Sequence, residues 1–394
     1  MAPRDAGRTR RGALSVRILV VNAGSSSLKL TVLDCPSSGE GADTVGGEES
    51  VDWACELAAP GGQHVADDLK SALDQGVRDV DAVGHRIVHG GSRFRDAVRV
   101  DRETREALGE LADLAPLHQA KSLAALDAVS ELLPEAPAVA CFDTAFHASL
   151  PEAAATYALP VEWRERWGLR RYGFHGLSHA WVARRVPELL GVAGEGLRIV
   201  SCHLGAGASL CAIESGRSID TTMGFTPLEG LMMATRSGSV DPGLILWLLD
   251  RGGLATEEVG DGLEHRSGLL GLCGESDMRE VVHGAKSGET APRLALDVYV
   301  HRLRAGIAAM AAAMGGVDVL AFTGGVGEHS SEVRARAATG LAFLGVLLEH
   351  ERNEETQADG EVGAEDASVR AVVVTAREDL EIARQVSSVI ACGA

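Results

Sequence analysis

The sequence predicts an α/β protein made of two similarly built domains. Three observations predict it. The chain has 394 residues, more than one hydrophobic core normally organises. A strand–turn–strand unit at 18–33 is met again at 197–213. Short apolar strands at 138–142, 317–323 and 369–375 punctuate helical stretches.

Each element has its own signal. Ile18-Leu-Val-Val21 is a β-branched apolar run, Asn22-Ala-Gly-Ser-Ser-Ser27 is turn-like, and 28–33 alternates apolar with polar residues. Residues 37–50, rich in Gly, Ser and Glu, read as a surface loop. A strand at 80–88 runs into Gly-His-Arg-Ile-Val-His-Gly-Gly. Residues 102–114 and 121–133 read as helices, the second with Leu123, Leu126, Val129 and Leu133 near helical spacing. In the second half, strands at 197–203 and 209–213 flank a Gly-rich turn, and 294–314 is an Ala-rich helix. The strand at 317–323 leads into a loop, Gly324-Gly-Val-Gly327, with a helix from about 330. The strand at 369–375 precedes a last helix at 379–390.

Composition excludes several functions. At 45% hydrophobic and 24% charged the chain is that of a globular protein, and no apolar run is long enough to span a bilayer. Arg4, Arg8, Arg10 and Arg11 precede no apolar stretch of signal-peptide length, so residues 1–16 read as a loose tail. A formal net charge of −19 argues against nucleic-acid binding. Phosphate ligands would therefore need locally concentrated cations. Seven cysteines without a CxxC pair suit a reducing, cytoplasmic setting.

Several segments could carry chemistry. In Asn22–Lys29 the glycine lets backbone N–H groups approach a phosphate, the hydroxyls add donors, Lys29 adds a point charge, and Asn22 could face a metal or its waters. A plain Ser-rich hairpin turn is the competing account. Gly324–Gly327 offers a second phosphate-type turn before a helix, or simply a tight turn. Arg86 and Arg236 could each grip a carboxylate or phosphoryl group with two parallel hydrogen bonds, or form surface ion pairs. His175, bracketed by glycines ahead of a helix, could donate to charge developing on a phosphoryl group. Asp143 and Glu378 follow apolar strands, where α/β folds place ligands. His85 and His89, four apart on a strand, stand about 13 Å apart, too far for one metal ion.

Taken in order, these strings resemble the acetate kinase family. They are Val21-Asn-Ala-Gly-Ser-Ser-Ser-Leu-Lys29, Val83-Gly-His-Arg-Ile-Val-His-Gly-Gly91, Leu114-Ala-Pro-Leu-His118 and Phe142-Asp-Thr-Ala-Phe-His147. Tyr172-Gly-Phe-His-Gly176, Met223-Gly-Phe-Thr-Pro-Leu-Glu-Gly230 and Thr235-Arg-Ser-Gly-Ser-Val-Asp-Pro242 continue the series, so nearly the whole chain is covered. The resemblance implies an actin-like (ribonuclease H-like) duplicated fold with an interdomain cleft. The first domain would take 17–142 plus 380–394, and the second 143–379. It also implies a homodimer and reversible, direct in-line transfer between ATP and acetate, giving acetyl phosphate and ADP. Mg²⁺ is the implied metal, with Mn²⁺ as the alternative ion.

On that resemblance Arg86 and Arg236 orient the carboxylate and the phosphoryl, and His175 stabilises the transition state beside His118 and His203. Asp143 acts near the carboxylate and metal, Asn22 and Glu378 hold the ion, and Val88, Leu117, Phe174 and Pro227 line a methyl pocket. The nucleotide falls to Ser27, Lys29, His203, Leu204, Gly205, Ala206, Gly207, Asp277, Met278, Arg279, Gly325, Val326, Gly327 and His329. Three residues depart from the family pattern, each replacing Asn: Ala206, His329 and Arg377. All lie on the nucleotide or metal side, so a weaker phosphate grip is expected. Propionate or butyrate as acceptor, a non-ATP donor, and a catalytically impaired nucleotide-binding protein are the alternatives.

Overall fold

The computed structural model describes residues 15–24, 27–36, 50–58, 65–77, 79–111, 116–356 and 358–392. The chain divides into two compact units. The first takes residues from Met1–Val88, Asp96–Phe142 and Asp379–Ala394, the second His89–Arg95 and Asp143–Glu378. The short stretch His89–Arg95 thus groups with the second unit, although the sequence reading kept it in the first.

In the first unit a six-stranded sheet has the order β3-β2-β1-β4-β6-β5. Its strands are β1 (Ser15–Ala23), β2 (Ser27–Pro36), β3 (Ser50–Ala58), β4 (Ala82–Ile87), β5 (Val98–Arg99) and β6 (Ala138–Phe142). β1, β2 and β3 form an antiparallel meander, while β4 and β6 extend the sheet in parallel. Ile18, Leu19, Val20 and Val21 are all buried, because this central strand is covered on both faces. On one face Leu19, Val21, Leu28, Leu30 and Val83 pack against Leu69 and Leu73 of the helix Val65–Gly76. Val129 of the helix Pro116–Leu132 joins the same cluster.

The second unit repeats the plan strand for strand, in the order β11-β12-β10-β7-β8-β9. Its strands are β7 (Arg198–Leu204), β8 (Ala208–Glu214), β9 (Arg217–Thr221), β10 (Val319–Thr323), β11 (Gly360–Glu361) and β12 (Arg370–Val373). Again three antiparallel strands are followed by two parallel ones, and a two-residue antiparallel strand closes the edge. The helix Gly176–Leu190 lays Val182, Ala183 and Val186 on Ile199, Cys211, Ile213 and Ala321. The helix Thr290–Ala313 buries Leu296, Tyr299, Val300, Leu303, Ile307 and Met310, a regular helical stripe. The duplicated α/β architecture expected from the two strand–turn–strand units is present.

Some expectations change. Gly324–Gly327 is not a loop but the start of the short helix Gly324–His329, which follows β10 directly. Gly324 has φ +77°, and a Cβ there would meet the Leu204 carbonyl oxygen at 2.8 Å, so only glycine turns the chain that tightly. β4 ends at Ile87, so His89 lies beyond the strand and shares no face with His85. The strand β3 and the helix Val65–Gly76 carry no signal recognised in the sequence. The loop expected at 37–50 falls, up to residue 49, outside the described residues.

Candidate active site

In the first unit, functional candidates gather at one end of the parallel strands. Asn22, next to last in β1, stands opposite Lys29 on β2. Val21 pairs with His85 on β4, which brings Asn22 beside Arg86. Nη1 of Arg86 donates to Oδ1 of Asn22 at 3.1 Å. Lys29 is exposed, and Val88 is buried. The side chains of Ser27, Leu117 and His118, and all of Ser25 and Ser26, lie outside the described residues. His85 is buried with neither ring nitrogen hydrogen-bonded, and burial lowers its pKa to about 3, so it is a neutral core residue.

The second unit holds a denser arrangement. Asp143 follows β6 and is 1% exposed. Its carbonyl accepts from the N–H of Gly176 at 2.8 Å, which pins the start of the helix Gly176–Leu190. A Cβ at Gly176 would fall 2.2 Å from that carbonyl oxygen, so the contact requires glycine. His175, immediately before the helix, is held at φ 56°. A left-handed non-glycine residue is strained, and such strain collects at functional positions. The turn Gly205–Gly207 between β7 and β8 lies over this histidine. A Cβ at Gly207 would stand 3.3 Å from His175 Nε2 and 3.7 Å from Arg236 Nη1. His175, Arg236 and the turn therefore converge on one point, although their positions in the sequence are far apart. Arg236 Nη1 also reaches the Pro227 carbonyl at 3.5 Å, and Phe174 is buried. Burial lowers the pKa of Arg236, yet a guanidinium remains charged.

Behind His175 runs a histidine–serine network of which the sequence reading named only His175 and His203 as site residues. His175 and His203 stack with ring centroids 4.3 Å apart and planes at 28°. Ser178 Oγ lies 2.8 Å from His203 Nδ1. Ser209 Oγ bridges His175 Nδ1 (2.9 Å) and His179 Nε2 (2.8 Å), and His179 Nδ1 lies 2.9 Å from Ser201 Oγ. His147 Nε2 donates to the Phe174 carbonyl at 3.0 Å. Burial lowers His147 to about 4 and His179 well below the usual histidine value, so both are neutral. One signal was available: His175 and His179 are four residues apart at a helix start, hence on one face.

The nucleotide-side candidates other than Ser27 and Lys29 are scattered within this unit. Leu204 is buried, while Gly205 and Gly207 are half-buried and Ala206 is exposed. Gly325 has open space above its Cα, Gly327 is buried, Val326 is half-buried, and His329 is exposed. Asp277 caps the helix Met278–Lys286, accepting from the N–H of Arg279 at 2.9 Å, and pairs with the Arg279 guanidinium. Met278 is only 5% exposed and serves the core. Arg377 and Glu378 are half-buried at the start of the helix Glu378–Cys392. Arg334, also missed, is a buried guanidinium donating to the carbonyls of Gly327 and Glu328, and it braces the glycine-rich helix from below.

Comparison with known proteins sets this arrangement in context. The acetate kinase of Porphyromonas gingivalis superimposes with a TM-score of 0.83 at 35% identity, covering 95% of this chain and 100% of that one. A propionate kinase of Francisella tularensis gives 0.83 at 32%, covering 94% and 98%. The fold is therefore the two-domain actin-like α/β class of these kinases. Acetate kinases of Trichormus variabilis and Gloeobacter violaceus are 41% and 42% identical, each covering 94% of this chain and 98% of its relative. The family described as the Acetokinase family matches residues 17–384. The chain belongs to the acetokinase family, phosphotransferases with a carboxyl group as acceptor.

Proposed function

We propose that the protein is an acetate kinase, passing a phosphoryl group reversibly between ATP and acetate by direct in-line transfer. The observation that carries this reading is the meeting of His175 Nε2 and Arg236 Nη1 over Gly207. Two electrophilic groups aimed at one point suit a phosphoryl group gathering charge in its transition state. An acetate carboxylate is already ionised at neutral pH, so attack needs no general base. Arg86, positioned by Asn22, orients the carboxylate, and Asp143 acts near it. Val88, Leu117, Phe174 and Pro227 take the methyl group. Ser27, Lys29, His203, the turn Gly205–Gly207, Asp277, Arg279, Gly325–Gly327 and His329 serve the nucleotide.

We propose Mg²⁺ as the metal. Among the described residues no group of three His, Cys, Asp or Glu side chains assembles, so no all-protein cage is formed. Mg²⁺ asks for less: one or two oxygen ligands from the protein, with water and phosphates completing the shell. Asn22 and Glu378 would supply those oxygens, and the ion would neutralise phosphate charge.

We further propose a homodimer. The helix Pro242–Asp250 buries none of its residues, and Leu246 and Trp247 are 67% and 57% exposed. An apolar helix this bare marks an interaction surface. A cytoplasmic setting suits Cys141 and Cys202, buried thiols whose pKa burial raises. Among the described residues no helix is long and apolar enough to cross a membrane.

The test is ATP formation from acetyl phosphate and ADP by purified protein with Mg²⁺. No turnover in either direction by folded protein would sink the proposal, and tight ATP binding without transfer would favour an impaired nucleotide-binding protein. Propionate is the second reading, favoured by the equal TM-score of the propionate kinase. The ratio of kcat/KM for acetate, propionate and butyrate separates the two, and trials of other phosphoryl donors settle donor choice.

A further inference from the structure

We propose that His179 and Ser209 are positioning residues for His175. With Ser201 they form a one-way hydrogen-bond chain that keeps the proton of the His175 imidazole on Nε2, the nitrogen facing Gly207 and Arg236. The proposal rests on the phosphotransfer role of His175 given above.

When Ser209 gives its one hydrogen to a histidine of the chain, the geometry leaves two senses; the remaining pattern, with both histidines donating to Ser209, puts the His175 proton on Nδ1. Ser201 Oγ, His179 and Ser209 Oγ are linked at 2.8–2.9 Å, the last reaching His175 Nδ1 at 2.9 Å. Ser201, His179 and Ser209 are each 0% exposed. A hydroxyl has one hydrogen to give, and a neutral imidazole has one N–H. In the outward sense, Ser201 donates to His179 Nδ1, His179 Nε2–H donates to Ser209, and Ser209 donates to His175 Nδ1. His175 then carries its proton on Nε2 and can donate to a phosphoryl oxygen. In the inward sense every bond reverses. A neutral His175 then carries its proton on Nδ1 and presents a bare lone pair, which would repel the same oxygen.

The role of His175 requires the outward sense, and a neighbouring histidine shows how such a sense is imposed. His147 Nε2 faces the Phe174 carbonyl at 3.0 Å, which only accepts, so that nitrogen must hold the proton. His147 Nδ1 then accepts from the Ser218 hydroxyl at 2.8 Å, and Cys211 Sγ lies 3.3 Å from that oxygen. A serine donating to Nδ1 with the proton on Nε2 is thus already built into this cluster. His179 and Ser209 extend the device to the reacting histidine.

The experiment uses the full chain labelled with ¹⁵N at the histidine ring nitrogens. Long-range ¹H–¹⁵N correlation reads each tautomer, with His175→Asn and His179→Asn assigning the signals. His175 and His179 should both appear as Nε2–H tautomers; a proton on Nδ1 of either histidine overturns the proposal. Ser209→Ala should lower kcat about tenfold or more with KM little changed, and should mix the His175 tautomers. Ser209→Thr, which keeps the hydroxyl, should restore most of kcat. Unchanged kcat in folded Ser209→Ala also overturns it. If Ser209→Ala does not fold, the wild-type spectrum decides alone. That spectrum is independent of turnover, so an inactive wild type would sink the kinase reading, whereas an active one with the reversed tautomer would sink only the positioning chain.

Discussion

Arg86 donates from Nη1 to the side-chain oxygen of Asn22 at 3.1 Å, across neighbouring parallel strands of the first unit. The contact helps to set the direction of the guanidinium. Asn22→Ala should lower kcat/KM for acetate by about tenfold or more, because a hydrogen bond to a charged group is worth roughly 1.5–3 kcal/mol. Steady-state kinetics in the acetate direction check this, and an unchanged kcat/KM would mean that Arg86 is held by other groups.

Arg236 should be less forgiving. Arg236→Ala is expected to reduce kcat by two or more orders of magnitude, in the range of roughly 10²–10³ found for a lost oxyanion donor. Circular dichroism should show the fold intact. A near-normal kcat would remove Arg236 from the mechanism.

Ala206 occupies an exposed position in the turn Gly205–Gly207, where the family usually has Asn. Its carbonyl is engaged by the N–H of Ala234 at 3.1 Å, so the backbone is already set. Ala206→Asn should add a donor without rebuilding the turn, lowering KM for ATP about tenfold. Titration of initial rates with ATP decides it, and an unaltered KM would show that this turn does not grip the phosphates.

Four buried histidines give a pH signature. His85 is lowered to about 3, His89 and His147 to about 4, and His179 well below its ordinary value, all chiefly by burial. In the unfolded chain each titrates near ~6.5. Above that pH neither state binds the proton and stability is full. As pH falls below it the unfolded chain takes up protons that the folded protein refuses, so stability is lost. The loss is about 1 kcal/mol per group between roughly pH 7 and 5.5. Urea midpoints should therefore fall sharply between these pH values, and equal midpoints would contradict the buried neutral state.

The bare helix Pro242–Asp250 predicts the assembly. Trp247→Glu places a charge on a surface that exposes Leu244, Leu246 and Trp247. Light scattering at micromolar concentration should show a dimer for the wild type and a monomer for the variant. A monomeric wild type would end the dimer proposal.

Much of this was legible in the sequence because it is local. The strand–turn–strand units at 18–33 and 197–213 announce themselves by apolar runs broken at glycines, and the helices by their periodic Leu and Val. Asn22, Arg86, His175 and Arg236 stand out through ordered motifs rather than through any property of the single letter. Where local signals conflict, the reading failed. Four residues from Gly324 to Gly327 look like a loop because glycine is a poor helix former, yet the helix begins at Gly324. The close passage of the Leu204 backbone demands glycine there, and that passage is not written in the neighbouring letters.

The sequence by itself determined the duplicated α/β plan, the acidic surface and the residue types available for phosphoryl chemistry, since these follow from periodicity, composition and motif order. Only the tertiary structure decided which of thirteen histidines matter together. His147, His175, His179 and His203 come from three separate segments, and the fold brings them within hydrogen-bonding reach of four serines. A hydrogen bond acts over about 3 Å, whereas sequence patterns report neighbours along the chain, so a network spanning distant segments becomes visible only when the chain is folded.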